Sequence, residues 1–469
     1  MMKRRDFFRN GSFAFLGTSL LNSNSVWATN PLRKVPDSGA KNIIFMVSDG
    51  MSTGTLNMAS LLLRRKEGRQ SHWLHLYEEQ KVSRALMDTA SANSLVTDSA
   101  AASSSWGGGV RVNNGSLNVG PDGTLYKPIL QKFKAAGKAV GCVTTVPITH
   151  ATPAGFSVNS AKRNDMDEIA TRYLSLRFDV MMGGGREHFM AESRKDKQDL
   201  VGSFRESNYR VITGRSELMK ASPDENKPLL GIFCEGGLPY SLDRAQDKAA
   251  QENIPTLAEM TKKAIERLNR NKNGFVMQVE GGKVDWAAHA NDAGALLYDQ
   301  VAFDEAVKVA LDFAEKDKET LVVLTTDHGN ANPGLFYGSN ANKNFDTLQH
   351  YRHTNDWVLN GINRDFSPKQ VVERIEYAQG WVAREEEAAE LLKHYNQLDE
   401  SGLYNPRKLP FRYLAQIQEQ RTSIGWGAMD HSGDFVELAM YGPGSELLKP
   451  FVKNTDLHNF MLMVTGVKE

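Results

Sequence analysis

Apolar residues along this chain fall into short unbroken runs, separated by longer stretches patterned for helices. The first run, Asn42-Ile43-Ile44-Phe45-Met46-Val47-Ser48, is continuous enough for a central strand covered on both faces. Similar runs span Ala139 to Val146, Val180 to Met182, Gly231 to Phe233, Phe275 to Val279 and Leu321 to Thr325, with Phe435 to Met440 as the last. Between them, Tyr126 to Ala136 places Ile129, Leu130 and Phe133 at helical spacing, and Thr256-Leu257-Ala258-Glu259 is a capping box opening a helix towards Leu268. Asp285 to Glu315 reads as one or two amphipathic helices. Strands alternating with helices predict an α/β fold: a doubly wound, mostly parallel central sheet flanked by helices on both faces. From about residue 330 to 425 the strand pattern lapses into polar loops and a charged helical stretch, Gln370 to Tyr395. This segment is expected to be an insertion at the carboxyl edge of the sheet, either shaping a pocket as a cap or lying as a solvated helix.

Composition narrows the partners. With 56 basic and 56 acidic residues, the chain gives no electrostatic argument for nucleic acid or a membrane surface. The balance is uneven at the start, where Lys3, Arg4, Arg5 and Arg9 face only Asp6. A basic Arg4-Arg5-Asp6-Phe7-Phe8 region, a mildly apolar run from Phe13 to Leu21 and Val26-Trp27-Ala28 form a leader cleaved after Ala28, similar to a twin-arginine export signal. The apolar run is broken by Gly17, Thr18 and Ser19, too short for a membrane anchor of about 20 residues. The expected organisation is therefore a leader over 1–28, a linker over 29–41 and one α/β domain over 42–469, periplasmic or secreted. Cys142 and Cys234 permit one bridge or two buried thiols, and no disulfide framework.

The chemistry gathers where strands end, the place ligands occupy in doubly wound sheets. Asp49 follows the first strand. Glu280-Gly281-Gly282 closes the Phe275 strand and leads to Asp285 and His289. Asp327-His328 follows the Leu321 strand, and His431 precedes the last. Asp285 and His289, four apart, face one way on a helix and can grip an ion with His431, while Asp49, Asp327 and His328 would make a second site. Two ions roughly 4 Å apart can hold the attacking and leaving oxygens of an in-line displacement. The partner for such ions is Ser99, in Thr97-Asp98-Ser99-Ala100-Ala101-Ala102, where a helix can begin.

Taken in order, Thr97-Asp98-Ser99-Ala100-Ala101, Val279-Glu280-Gly281-Gly282 with Asp285 and His289, Thr326-Asp327-His328, His431-Ser432-Gly433 and Tyr441-Gly442-Pro443-Gly444 resemble the alkaline phosphatase family from about Asn42 to Gly444. The resemblance implies hydrolysis of phosphate monoesters through a phosphoserine at Ser99, with Asp98 orienting that serine and the phosphate-binding arginine. It implies one zinc at Asp285, His289 and His431, and another at Asp49, Asp327 and His328. It also implies magnesium at Thr152, Glu280 and the shared Asp49, with Arg163 gripping two phosphate oxygens. His150 stands where some bacterial members carry aspartate and animal members histidine, which would shift the third site towards zinc. Trp286 stands where some members place lysine or histidine near the phosphate. Homodimers are common in the family.

Two relatives by chemistry are disfavoured. Sulfatases need Cys-x-Pro-x-Arg or its serine form, absent around Cys142 and Cys234, and diesterases generally use threonine and lack an arginine matching Arg163. A phosphate-binding protein without turnover would have no use for paired zinc ligands.

Overall fold

The computed structural model describes residues 39–397 and 408–468. Ten strands form one sheet: β1 (Asn42–Val47), β2 (Ser83–Asp88), β3 (Ala139–Pro147), β4 (Val180–Gly184), β5 (Arg210–Ile212), β6 (Leu229–Ile232), β7 (Phe275–Glu280), β8 (Thr320–Thr325), β9 (Val436–Tyr441) and β10 (Phe451–Lys453). Across the sheet they lie in the order β10-β2-β9-β8-β1-β7-β3-β4-β6-β5. Only β9 is reversed, pairing antiparallel with both β8 and β2. The mostly parallel expectation therefore holds.

The first apolar run lies at the centre, as its continuity requires. Ile44 and Met46 point into a layer built with Met260 and Ala264 of the Leu257–Leu268 helix and Leu296 and Phe303 of the Ala293–Asp317 helix. Phe45, on the opposite face, meets Trp106 and Phe156 with ring centroids 5.1 and 5.4 Å away. The predicted capping box is formed: Thr256 accepts from Glu259 N, and the Glu259 carboxylate accepts from Thr256 N.

Three strands were not anticipated. β2 has only Ala85-Leu86-Met87 as apolar residues, with Leu86 exposed between two buried neighbours, and β5 and β10 have three residues each, so none forms a long apolar run. Phe451–Lys453, rather than the Phe435 run, is consequently the last strand. The helical stretch from Asp285 resolves into Lys283–His289 and Ala293–Asp317, split where Asn291 takes a positive φ. The charged stretch becomes two helices, Pro368–Gln379 and Glu385–Gln397; the former buries Val371, Ile375 and Ala378 in the main core, more than a solvated helix would. Cys142 and Cys234 are free thiols, the first buried and the second half-buried. The leader lies outside the described residues; among those described, no helix is long and apolar enough to cross a membrane.

Candidate active site

Strand register assembles the site. Val47 of β1 pairs with Glu280 of β7 and with Thr325 of β8, so Asp49, Glu280 and Asp327-His328 leave three adjacent strands at one level. On the other flank of β7, Thr144 of β3 pairs with Glu280 and its hydroxyl donates to that carboxylate at 2.5 Å. A two-residue ribbon pairs His431 with Asn330, bringing the last histidine back over the end of β8. Gly50 turns the chain at φ +64, and a Cβ there would lie 2.5 Å from an Asp285 carboxylate oxygen. No other residue fits that corner.

Among the described residues, three groups of side chains could each hold a metal ion: Asp285, His289 and His431; Asp49, Asp327 and His328; and Asp49, His150 and Glu280. The first two are the sets read from the strand ends. In the third, His150 joins Asp49 and Glu280, and the Thr152 hydroxyl donates to Asp49 at 3.3 Å.

Hydrogen bonds orient these ligands. His289 Nδ1 donates to Met429 O at 2.6 Å and His431 Nδ1 to Thr97 O at 2.8 Å. Both Nε2 atoms therefore present lone pairs, and they face each other across 3.1 Å. Two such lone pairs repel unless a cation lies between them. Asp285 completes the set, its oxygens 3.5 and 3.6 Å from the two Nε2 atoms, and Asn330 Nδ2 donates to it at 2.7 Å. In the second set, His328 Nε2 lies 3.2 Å from Asp327 and 3.6 Å from Asp49. Asp49 Oδ1, Asp327 Oδ2 and Glu280 Oε1 are buried without hydrogen-bond partners among the described residues. Buried, unpaired oxygens beside imidazole lone pairs suit divalent cations.

The electrostatics agree. Burial, followed by the charges of Asp327, Asp285 and Glu280, pushes the Asp49 carboxyl well above its usual range, and burial raises Glu280 to about 7. Against the same burial, His289, His328 and His431 hold Asp285 below the carboxylate range. Burial and the neighbouring His328 lower His431 to about 4, leaving a neutral ligand at neutral pH.

Ser99 begins the Ser99–Gly108 helix and is buried, its Oγ 3.2 Å from His328 Nε2. Asp98 is the N-cap: one carboxylate oxygen accepts from Ala101 N, while the other accepts from Gly115 N and from Arg163 Nη1 at 3.0 Å. The same residue thus fixes the helix start and holds the arginine. Arg163 Nη2 reaches His150 Nε2 at 3.3 Å, and the His150 ring meets Trp286 edge-on at 6.1 Å. Every predicted site residue is brought into this one constellation.

The structure adds Asn330, Thr144 and Asn114, whose Oδ1 accepts from Asp98 N at 3.1 Å. Asn114-Gly115 reads as a turn, a signal that could have placed it beside Asp98 only with the fold known. Also added is Lys283, buried one turn from Trp286, with its ammonium 3.6 Å from the Tyr240 ring centroid and 4.6 Å from that of Trp286.

A family model described as alkaline phosphatase matches residues 40–467. The chain is 31% identical to alkaline phosphatase 4 of Bacillus subtilis, over 99% of this chain and 100% of that protein. It is 28% identical to the repressible alkaline phosphatase of Saccharomyces cerevisiae, over 86% and 76% of the two. Among solved structures, Thermus thermophilus alkaline phosphatase superposes with a TM-score of 0.85 at 31% identity, covering 96% of each chain.

Proposed function

Because the chain belongs to the alkaline phosphatase family, a family of metal-dependent phosphatases, we propose that it hydrolyses phosphate monoesters with Ser99 as nucleophile and Arg163 as phosphate clamp. The observation that carries the assignment is the placement of Ser99 Oγ against His328, beside two donor sets and an arginine anchored by Asp98. Ser99 Oγ bonds to phosphorus as the ester oxygen leaves with the alcohol; water then cleaves the phosphoserine to inorganic phosphate and restores the serine. Zinc at the Asp285, His289 and His431 set and at the Asp49, Asp327 and His328 set, with magnesium at Asp49, Glu280 and Thr152, would favour the serine alkoxide and hydroxide and offset charge on the leaving oxygen.

The protein's own groups supply the rest. Asp98, the residue before Ser99, anchors the planar fork of Arg163, a group suited to two oxygens of a terminal phosphate. Backbone N–H groups at the start of the Ser99–Gly108 helix add a favourable potential for an anion. Trp286 and His150 wall the phosphate side without adding a lysine-like cation.

Hydrolysis of a nitrophenyl phosphate and of its bis-ester, with and without chelator and beside Ser99→Ala, tests the proposal. Chelator-sensitive monoesterase activity lost in the variant supports it. Preference for the bis-ester moves the chain to diesterase chemistry.

We also propose export through the leader over 1–28, and a role for the 330–425 insertion in walling the site, since its first residue, Asn330, reaches Asp285. A homodimer is proposed on the same footing. Phe451 pairs with Leu86 across β10 and β2, and the Phe435 and Phe451 rings meet at 5.0 Å. Leu86, Phe435 and Phe451 are 44, 54 and 48% exposed, a contiguous apolar strip that a second copy could cover. Light scattering on the purified protein distinguishes dimer from monomer.

A further inference from the structure

His150 is asked to do two things that one imidazole cannot do at once. A neutral imidazole has one lone pair and one N–H. A guanidinium has only donors, so the 3.3 Å contact from Arg163 Nη2 makes His150 Nε2 an acceptor and spends that lone pair. The same ring lies within reach of Asp49 and Glu280 in the third donor set, and its buried Nδ1 has no hydrogen-bond partner among the described residues. A cation in that set would take the lone pair through whichever nitrogen it binds. The other nitrogen would then carry the proton and could no longer accept from Arg163.

We propose that His150 is a two-position switch for Arg163: it holds Nη2 in one state and ligates the third-site cation in the other, releasing Nη2 for substrate phosphate. This inference rests on the phosphomonoesterase reading of the site. Asp98 still holds Nη1 at 3.0 Å, so the released arginine remains anchored at one corner and keeps its facing. Third-site cation and phosphate then bind cooperatively, and by linkage each tightens the other by the same factor. A cation that accepts imidazole nitrogen, such as zinc, exerts the coupling. Magnesium, held through Asp49, Glu280 and Thr152 oxygens, leaves His150 on Arg163 and does not.

The test uses the whole enzyme with the Asp285, His289 and His431 set and the Asp49, Asp327 and His328 set filled with zinc, metal content being counted for every sample. Inorganic phosphate binding is measured by calorimetry with the third site empty, filled with magnesium, or filled with zinc. In the wild type, zinc at the third site is expected to lower the phosphate Kd by roughly fivefold or more, and magnesium to change it little. In His150→Ala the zinc dependence of the phosphate Kd should vanish, whatever the variant's own affinity for phosphate. Equal phosphate affinity in all three wild-type states, or a zinc effect that persists in His150→Ala, overturns the inference while leaving the phosphatase reading intact. A protein that binds no phosphate and turns over no monoester overturns both.

Discussion

Asn330 shows how a residue with no chemistry of its own can decide the chemistry of others. Its amide donates to Asp285 at 2.7 Å while its backbone pairs with His431, so it orients one ligand and positions another. Asn330→Ala is expected to weaken zinc retention by about 10- to 100-fold, the usual loss when a ligand's own partner is removed. The check is the rate of zinc release to a chelator. Trp286→Lys would add a charge beside the proposed phosphate site, and one added charge-assisted contact of about 1.5 kcal/mol predicts roughly tenfold tighter phosphate inhibition. Unchanged inhibition would place the introduced ammonium outside reach of the anion. At this scale the gathering of the candidate ligands was legible in the sequence because aspartate and histidine at strand ends are conspicuous. Asn330 was not, since an asparagine two residues after Asp-His looks like any turn residue. The contact between His150 and Arg163 was not legible either, because spacing says nothing about which imidazole nitrogen faces what.

Among elements, the helix that carries Ser99 is placed by its closeness to the Ala151–Ser157 helix. A Cβ on Gly155 would lie 2.0 Å from Ser103 Oγ, and one on Gly107 would lie 2.0 Å from Gly155 O. The alanines and serines after Ser99 are thus packing residues of a tight helix pair as well as small neighbours of an anion. Gly155→Val should cost about 1–3 kcal/mol through overpacking and should displace Ser99 with its helix. A lower Tm with unaltered turnover would show that the serine does not depend on this contact.

A second element contact is pH-sensitive. Burial raises the Asp304 carboxyl to about 7, although the N–H groups of His72 and Trp73, at 2.7 and 3.0 Å, and then Arg69 pull the other way. A folded pKa above the unfolded one stabilises the fold below about pH 4, and that stabilisation is lost as pH rises to about 7. Asp304→Asn should therefore lose less stability than the wild type between those limits, by on the order of a few kcal/mol. Parallel denaturation curves across the window would refute this. The central strands and the capped helix could be read directly, whereas β2, β5 and β10 could not: β5 and β10 are three-residue strands at the two edges, and β2, next to one edge, is half-exposed, so none has the apolar continuity that marks a covered strand.

For the molecule as a whole, the carboxylates of Asp49, Glu280, Asp285 and Asp327 are buried in one place. Metal removal should leave the fold less stable as well as inactive. Binding at a thousand times Kd contributes about 4 kcal/mol per ion, so chelation should lower Tm and added zinc restore it. An unchanged Tm would mean that the donor sets do not bind metal strongly in the folded state.

The sheet order also sets a timetable for assembly. Asn42, at the head of β1, accepts from Phe275 N and donates to the Thr320 hydroxyl, partners 233 and 278 residues further along. The first strand thus waits for neighbours that emerge from the ribosome only after more than half the protein has been made. Until then its apolar run has no native cover, and loop closure must come before the contacts that reward it. Such a chain should refold slowly and compete with aggregation as it does so. A nascent chain that stops short of His431 contains the proposed nucleophile and most of the candidate ligands, yet cannot complete the set of Asp285, His289 and His431.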